Sequence, residues 1–384
     1  MNGQPQKNWV GFVSNSAWYI YIHRYDVIRF FIEKGYQVLI VAPEDRYVEA
    51  FDHPSITFIR YEFSNKTRNP FASLGLYFEL KKIYKKYQPL CVFHYAIKAN
   101  IFGSFAAKAA GVKCIAVVNG IGYAFTKRNL LFQVVKRLYR QALKIPVEVW
   151  FLNNEDGSYF IQHKMVNVKK VHILHGEGIN TEHFLPDEYA PGNTAEKQFT
   201  FIIATRLLYS KGIGTLADAV RVLKNQGHQL TCLLVGVTDP GHPDSIPQNQ
   251  LLGWEKEGLL SIHPFTEDVR PLLAGSDCFV LPSYYNEGLP RCLMEAASMR
   301  LPIITTYQKG CKEAIVNHVT GLFCKIKDPV DLAEKMEMMM EMPKDKLRKM
   351  GKNGRLLMQK KFAIERICKE YLRVVKSIRE RNGH

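Results

Sequence analysis

Apolar residues in the first half of the chain come in short solid runs, at 9–13, 37–41, 56–61, 90–94, 114–118, 148–152 and 171–174. Stretches with helical spacing, at 25–34, 73–87, 100–110 and 129–144, separate most of them. Solid runs of this length suit strands buried on both faces, and strands that alternate with helices imply a parallel sheet covered on both sides. The pattern predicts one doubly wound domain over residues 1–185. It lapses at 184–197 into a polar stretch with two prolines and a glycine, read as a linker. From Gln198 the alternation restarts, with strands expected at 199–204, 230–235, 260–263, 278–281 and 302–305, for a second such domain over 186–361. A last helical pattern sets Ile364, Ile367, Tyr371, Val374 and Ile378 on one face, so residues 362–384 are expected to pack back on the first domain. Open parallel sheets bind ligands beyond the carboxyl ends of their strands. The chemistry should therefore lie in the loops that follow strands, lining a cleft if two such domains face one another.

Composition narrows the class. A chain of 384 residues has room for two cores, and 47% hydrophobic with 23% charged content is that of a folded globular protein. With no apolar run of membrane-spanning length and no signal-peptide build at the amino terminus, a cytoplasmic protein is expected. The eight cysteines form no C-x-x-C pair and sit in apolar surroundings, which predicts buried thiols and neither disulfides nor zinc ligands. The net charge of +16 is concentrated: residues 63–147 hold fifteen Lys and Arg against one acid, Glu79. Nucleic acid and an anionic membrane are both candidate partners for such a segment. No reading module or stacking platform accompanies the charge, so nucleic acid is not expected. Over 127–140, Lys127, Arg128, Lys136, Arg137 and Arg140 alternate with Leu, Phe and Val at helical spacing. That fits a helix lying on the inner face of the cell membrane, or an ordinary amphipathic helix with a solvated basic face.

Two carboxylates stand out in Ser283-Tyr-Tyr-Asn-Glu-Gly-Leu-Pro-Arg-Cys-Leu-Met-Glu295. A strand-like run precedes this segment, and residues 289–297 have helical composition with Pro290 expected in the first turn, where its missing N–H is harmless. Glu287 then lies in the loop and Glu295 about five residues into the helix, roughly 7–8 Å further along at 1.5 Å per residue. Free N–H groups near Gly288 and Leu289 suit a diphosphate, and the flanking carboxylates suit sugar hydroxyls. A helix-capping Glu287 with a solvated Glu295 is the other reading of the same spacing. Upstream, Arg206 and Lys211 lie in a loop that follows the first strand of the second domain and could neutralise a departing diphosphate. Gly212-x-Gly214-x-x-Ala217 matches a dinucleotide fingerprint in form only, since it follows a long loop.

This set, with Gly176-Glu-Gly-Ile-Asn-Thr-Glu-His-Phe184, Leu234-Val-Gly236, Glu267-Asp-Val269, Gly310-Cys-Lys-Glu313, His318-Val-Thr-Gly321 and Lys327-Asp-Pro329, resembles the family-4 retaining glycosyltransferases. The resemblance covers nearly the whole chain. It implies the GT-B fold, two doubly wound Rossmann-like α/β domains facing a central cleft, and transfer of a hexose or N-acetylhexosamine from a nucleotide diphosphate, UDP favoured. By it, Glu295 would bind the ribose, Glu287 the donor sugar, and Arg206 with Lys211 the leaving β-phosphate. Asn15 and Phe265 are further donor-side candidates, Phe265 as a base contact. No metal or other cofactor is expected: there is no Asp-x-Asp motif, and cationic side chains with a helix dipole can stabilise the leaving charge. Residues 94–103 and 117–125 resemble the bacterial branch that extends lipid-linked, polyprenyl-diphosphate glycans for surface polysaccharide or protein glycosylation. On that side His94, Lys98 and Asn119 are the acceptor candidates, with a structural strand-end His94 and a structural exposed Lys98 as the other reading, and Asn119 stands where many relatives place a histidine. A nucleotide-sugar 2-epimerase of related shape, and a non-catalytic basic protein that binds polysaccharide or nucleic acid on a degenerate scaffold, are the rival readings.

Overall fold

The computed structural model describes residues 8–61, 74–120, 130–174, 176–189, 198–239, 241–285 and 288–382. Contacts divide the chain into two units, Met1–Gly178 with Ile364–His384, and Ile179–Ala363. The division thus falls after Gly178 and after Ala363, where the sequence pattern puts it after 185 and after 361.

Unit 1 is built on a parallel sheet of β1 (Trp9–Val13), β2 (Gln37–Ala42), β3 (Ile56–Arg60), β4 (Cys91–Tyr95), β5 (Lys113–Val118), β6 (Glu148–Phe151) and β7 (Val171–Ile173). The strand order is β3-β2-β1-β4-β5-β6-β7. Successive strand residues point to opposite faces, so Val10, Phe12, Phe93 and Tyr95 join one core while Val13 and Val92 join the other. Helices α1 (Ala17–Glu33) and α13 (Ile364–Asn382) cover the first face. Helices α2 (Leu74–Tyr87), α3 (Ser104–Ala110), α4 (Leu130–Ala142) and α5 (Asn154–Gln162) cover the second. Ile364, Ile367, Tyr371, Val374 and Ile378 of α13 are all buried there, and the Tyr371 hydroxyl meets that of Tyr95 at 2.9 Å.

Two helices differ from expectation. α1 begins eight residues before the expected 25, because Ser16 caps it, its side chain accepting the Tyr19 N–H at 3.2 Å. The aromatic residues of that first turn have low helix propensity and hid the start. The stretch expected to be helical over 100–110 opens with a wide turn, Ala99–Gly103, before α3.

Unit 2 repeats the design with β8 (Phe199–Ala204), β9 (Leu230–Val235), β10 (Ser261–His263), β11 (Cys278–Leu281), β12 (Ile303–Thr306) and β13 (Gly321–Cys324), in the order β10-β9-β8-β11-β12-β13. Its helices are α6 (Ile213–Asn225), α7 (Gln248–Lys256), α8 (Arg270–Ala274), α9 (Arg291–Ser298), α10 (Cys311–Ala314), α11 (Pro329–Glu341) and α12 (Lys344–Leu357). The edge strand β13 was not expected from the sequence; it is four residues long and follows a polar turn. Pro290 is the N-cap of α9, with extended backbone, and does not sit in its first turn. In each unit the strand order reverses once near the middle, between β1 and β4 and between β8 and β11, the position where doubly wound sheets open a ligand crevice.

Candidate functional site

In unit 2 the loop after β8 is tied to the loop after β11. The Ser210 carbonyl accepts the Tyr284 N–H at 2.9 Å and the Ser283 hydroxyl at 3.2 Å, while the Ser210 N–H donates to Asp244 at 2.9 Å. Gly212 closes the turn with φ of +81°, and a side chain there would strike the carbonyl of Pro282. This brings Lys211, only 5% exposed, to the carboxyl end of the sheet, where its ammonium stands 5.5 Å from the centre of the Tyr285 ring. Arg206 is exposed, 3.9 Å from Asp239. Glu295 is the fifth residue of α9, and its carboxylate is held by Arg291, one turn earlier, at 2.8 Å. Leu289 is buried in the unit 2 core and Gly288 is half-buried. Beyond β9 and β10 lies an open pocket of about 360 Å³ lined by Leu207, Val237, Leu251, Leu252, His263 and Phe265, among others. Phe265 is exposed at its rim.

At the carboxyl end of the unit 1 sheet a polar network centres on Tyr19. Its hydroxyl donates to Glu177 Oε1 at 2.7 Å and accepts from Arg24 Nη2 at 2.8 Å and from Asn119 Nδ2 at 2.9 Å. Arg24 is wholly buried and also reaches Glu177 at 3.2 Å, and His23 Nδ1 lies against the other Glu177 oxygen. Burial by itself would raise the Glu177 carboxyl, but His23 and Arg24, with hydrogen bonds from His23 and Tyr19, outweigh it and hold the group far below the usual carboxylate range. Burial raises the Tyr19 phenol well above its ordinary value, so it keeps its proton.

The candidates from sequence fall into three groups. Arg206, Lys211, Gly288, Leu289, Glu295 and Phe265 all belong to unit 2, and Asn15, Lys98 and Asn119 follow β1, β4 and β5 of unit 1. Glu287, Lys127 and Arg128 lie outside the described residues, whereas Arg137 and Arg140 are exposed and Lys136 is half-buried on α4. His94 is a correction. It points into the core of unit 1, wholly buried, with Nε2 2.9 Å from the Tyr84 hydroxyl and its ring filling the space where a side chain on Gly103 would be. Burial lowers its pKa to about 3, so it is a neutral packing residue and not a group that meets an acceptor. Lys98 is part-buried, and burial lowers its amine. All eight cysteines are free, seven of them buried and Cys292 half-buried.

Sequence reasoning missed Arg291, Tyr19, Arg24 and Glu177. The first carries a signal, since Arg and Glu four apart on a helix are neighbours. The others are distant in sequence and meet only through the fold.

Residues 10–148 match the family model described as "Glycosyl transferase 4-like", and residues 187–357 match "Glycosyl transferases group 1". Over 385 residues the chain is 29% identical to the N,N'-diacetylbacillosaminyl-diphospho-undecaprenol alpha-1,3-N-acetylgalactosaminyltransferase of Campylobacter jejuni, covering 96% of this chain and 100% of that one. It is 28% identical over 257 residues to the UDP-Gal:alpha-D-GlcNAc-diphosphoundecaprenol alpha-1,3-galactosyltransferase of Escherichia coli, covering 65% and 66%. Among solved structures, a glycosyltransferase from Rickettsia africae superposes with a TM-score of 0.80 at 19% identity, over 97% of this chain and 99% of that one. Anabaena HepE, crystallised with UDP and glucose, does so with 0.78 at 17% identity, over 96% and 99%. Two parallel-sheet Rossmann-like units are common to them.

Proposed function

Because the chain belongs to the glycosyltransferases of the GT-B fold, joining a 4-like amino-terminal half to a group 1 half, we propose that it moves a hexose or N-acetylhexosamine from a UDP-sugar to a polyprenyl-diphosphate-linked sugar. The step would serve the assembly of a surface polysaccharide or glycan. The observation that carries this reading is the end-to-end match to the Campylobacter enzyme, named for an acceptor of that class.

The chemistry of unit 2 supports it. When a glycosyl–phosphate bond breaks, negative charge grows on the leaving diphosphate, and fixed cations in a water-poor site stabilise that charge without having to reorganise. Lys211 is such a cation, set by the Gly212 turn and faced by the Tyr285 ring. Arg206, exposed, has the planar fork that takes two phosphate oxygens at once. The pocket with Phe265 at its rim offers apolar walls for the base, and Glu295, pinned by Arg291, offers an oriented acceptor for ribose hydroxyls. In this reading the donor is held without a metal ion, and the anomeric configuration is retained.

Charge in unit 1 is sorted by layer. Lys82, Lys85, Lys86, Lys108, Arg137, Arg140 and Lys144 are exposed on α2, α3, α4 and the turn after α4, with Glu79 exposed on α2 and, on α5, Glu155 half-buried and Asp156 buried. The α1 and α13 layer instead mixes signs, as in Arg29 with Glu33 and Arg373 with Glu370. Among the described residues no helix is long and apolar enough to cross a membrane. The basic layer supports peripheral docking on anionic headgroups at the inner membrane face, each cation near the surface contributing about 1 kcal/mol.

The test incubates the purified protein with a panel of UDP-sugars and GlcNAc-diphosphoundecaprenol, with Lys211→Ala beside it. Transfer that falls by at least about tenfold in the variant is expected, which corresponds to about 1.4 kcal/mol of transition-state stabilisation. A new nucleotide sugar formed without acceptor would refute the reading in favour of an epimerase. Equal activity in the variant would refute the role of Lys211.

A further inference from the structure

Beside the outermost strand of the unit 1 sheet lies a cavity that holds none of the candidates from sequence. β3 pairs on one side only, with β2, and α2 packs against the same core as Ile59. Between them opens a hollow of about 300 Å³, lined by Ile59, Ile83, Tyr61 and Tyr87 and by Arg60, Lys82 and Lys86. Glu79 is the carboxylate in the lining, and Glu44 pairs with Arg60 from outside it. Among the described residues neither Lys82 nor Lys86 enters an ion pair; the Lys86 ammonium stands 5.1 Å from the centre of the Tyr87 ring. Lysines four apart on a helix are neighbours and repel one another. The cavity thus keeps an excess of positive charge beside apolar walls, and a phosphate would relieve it.

Ligand pockets run from about 300 to 1,000 Å³, so a hollow at the lower bound takes a headgroup and not a nucleotide sugar. The outward face of α2 tells which phosphate. Leu74 and Phe78, 47% and 57% exposed, continue the line of Lys82 and Lys86 toward the amino end of the helix. At 1.5 Å per residue Phe78 lies about 6 Å beyond Lys82, and Leu74 about 12 Å. An interfacial helix buries its apolar side chains about 5–10 Å into the boundary between headgroups and acyl chains, the same span. A dissolved phosphate gives these two positions no apolar partner; acyl chains do. The diphosphate of a sugar acceptor is the wrong source, because it has to reach the reacting centre, and β2 separates this cavity from the crevice between β1 and β4.

We infer that the cavity between β3 and α2 seats the phosphate headgroup of an anionic bulk phospholipid, with Arg60, Lys82 and Lys86 toward the phosphate and Leu74 and Phe78 in the acyl layer. This rests on the peripheral docking proposed above and turns part of a diffuse attraction into a site. The element that enters the membrane is then α2, and not the 127–140 stretch that the sequence pattern singles out.

The experiment measures partition of the full chain onto vesicles free of polyprenyl lipid, made of phosphatidylcholine alone or of equal parts phosphatidylcholine and phosphatidylglycerol. Lys82→Gln with Lys86→Gln is set against Lys85→Gln with Lys108→Gln, an equal change of charge at exposed lysines outside the cavity. Diffuse attraction alone would weaken binding equally in the two pairs. A seated headgroup makes the Lys82 and Lys86 pair the costlier by about tenfold, the loss of one hydrogen bond to a charged group. Phe78→Ala should weaken partition at least about fivefold and leave the melting temperature unchanged, since more than half of that side chain already faces water. Calorimetry with inorganic phosphate separates the sources: affinity for free phosphate that depends on Lys82 and Lys86, with Phe78→Ala partitioning like the wild type, would overturn the lipid in favour of a dissolved ligand. If the wild type binds the acidic vesicles yet both charge pairs weaken it equally, the site fails alone. If the wild type stays in solution with both kinds of vesicle, docking fails and takes the site with it.

Discussion

Glu177→Gln is the most direct probe of what holds the carboxyl end of unit 1 together. The substitution keeps the shape and an acceptor for the Tyr19 hydroxyl but removes the charge opposite Arg24, which has no exposed surface. Taking away one member of a buried ion pair costs about 3–5 kcal/mol, because the remaining charge is left in a poor solvent. Since glutamine keeps one hydrogen-bonding oxygen, the lower end is expected, about 3 kcal/mol. For a unit of roughly 200 residues each kcal/mol moves the melting midpoint by about 2–4 °C, so the variant should melt roughly 6–12 °C lower at neutral pH. Tryptophan fluorescence suits the measurement, since Trp9, Trp18 and Trp150 lie in unit 1 and Trp254 in unit 2. The pH dependence is a second arm. The folded-state carboxyl is depressed, so the unfolded chain binds the proton first as pH falls. The stabilisation is therefore complete above the ordinary carboxyl value of about 4.3 and is lost progressively below it. The wild type should lose its advantage over Glu177→Gln as the solution is acidified. A midpoint shift under about 2 °C at neutral pH, or a gap that stays constant into acid, would show that Arg24 finds other compensation and would refute the argument.

Three further outcomes are expected. Gly103→Ala places a methyl within 2.6–2.9 Å of the His94 ring, which is wholly buried and held against Tyr84, and should destabilise unit 1 by about 1–3 kcal/mol in denaturant unfolding. Phe265→Ala should weaken UDP binding by roughly three- to tenfold in calorimetry, the loss of a partly exposed stacking face worth about 0.5–1.5 kcal/mol, while 1 mM EDTA should leave that affinity unchanged. Co-sedimentation with vesicles should require acidic lipid, weaken as salt is raised, and fall when Arg137 and Arg140 are replaced by Glu; equal binding to neutral vesicles at high salt would contradict it.

The parallel sheets were legible because a strand buried on both faces has little choice but to be apolar throughout, and 199–204, 230–235 and 278–281 were read to the residue. β13 escaped because an edge strand of four residues carries too short a run to register. The donor-side candidates were sought after strands, where open parallel sheets hold ligand groups, and in the structure Arg206 and Lys211 do follow β8 and Phe265 follows β10. Between the two readings of His94, acceptor contact and structural residue, the sequence could not choose. A histidine ending an apolar run reads like a group at a crevice, and only the fold shows Gly103 leaving room for the ring and Tyr84 meeting its nitrogen. Glu177 was quoted within the hinge motif but given no role, since its partners Tyr19 and Arg24 lie more than 150 residues away. Pairings at that range leave no periodic trace in a single sequence.

Because α13 belongs to unit 1 but follows all of unit 2, the order of synthesis and the order of completion differ. A ribosome that has made residue 363 has supplied every residue of unit 2, yet has left one face of the first sheet without the helix that places Ile367, Tyr371, Val374 and Ile378 against Phe12, Phe93 and Trp150. A nascent chain at that stage carries an apolar surface that invites holding by a chaperone or clumping with its neighbours. Expression hosts that stall or clip the chain near its end should therefore yield insoluble material out of proportion to the few residues lost.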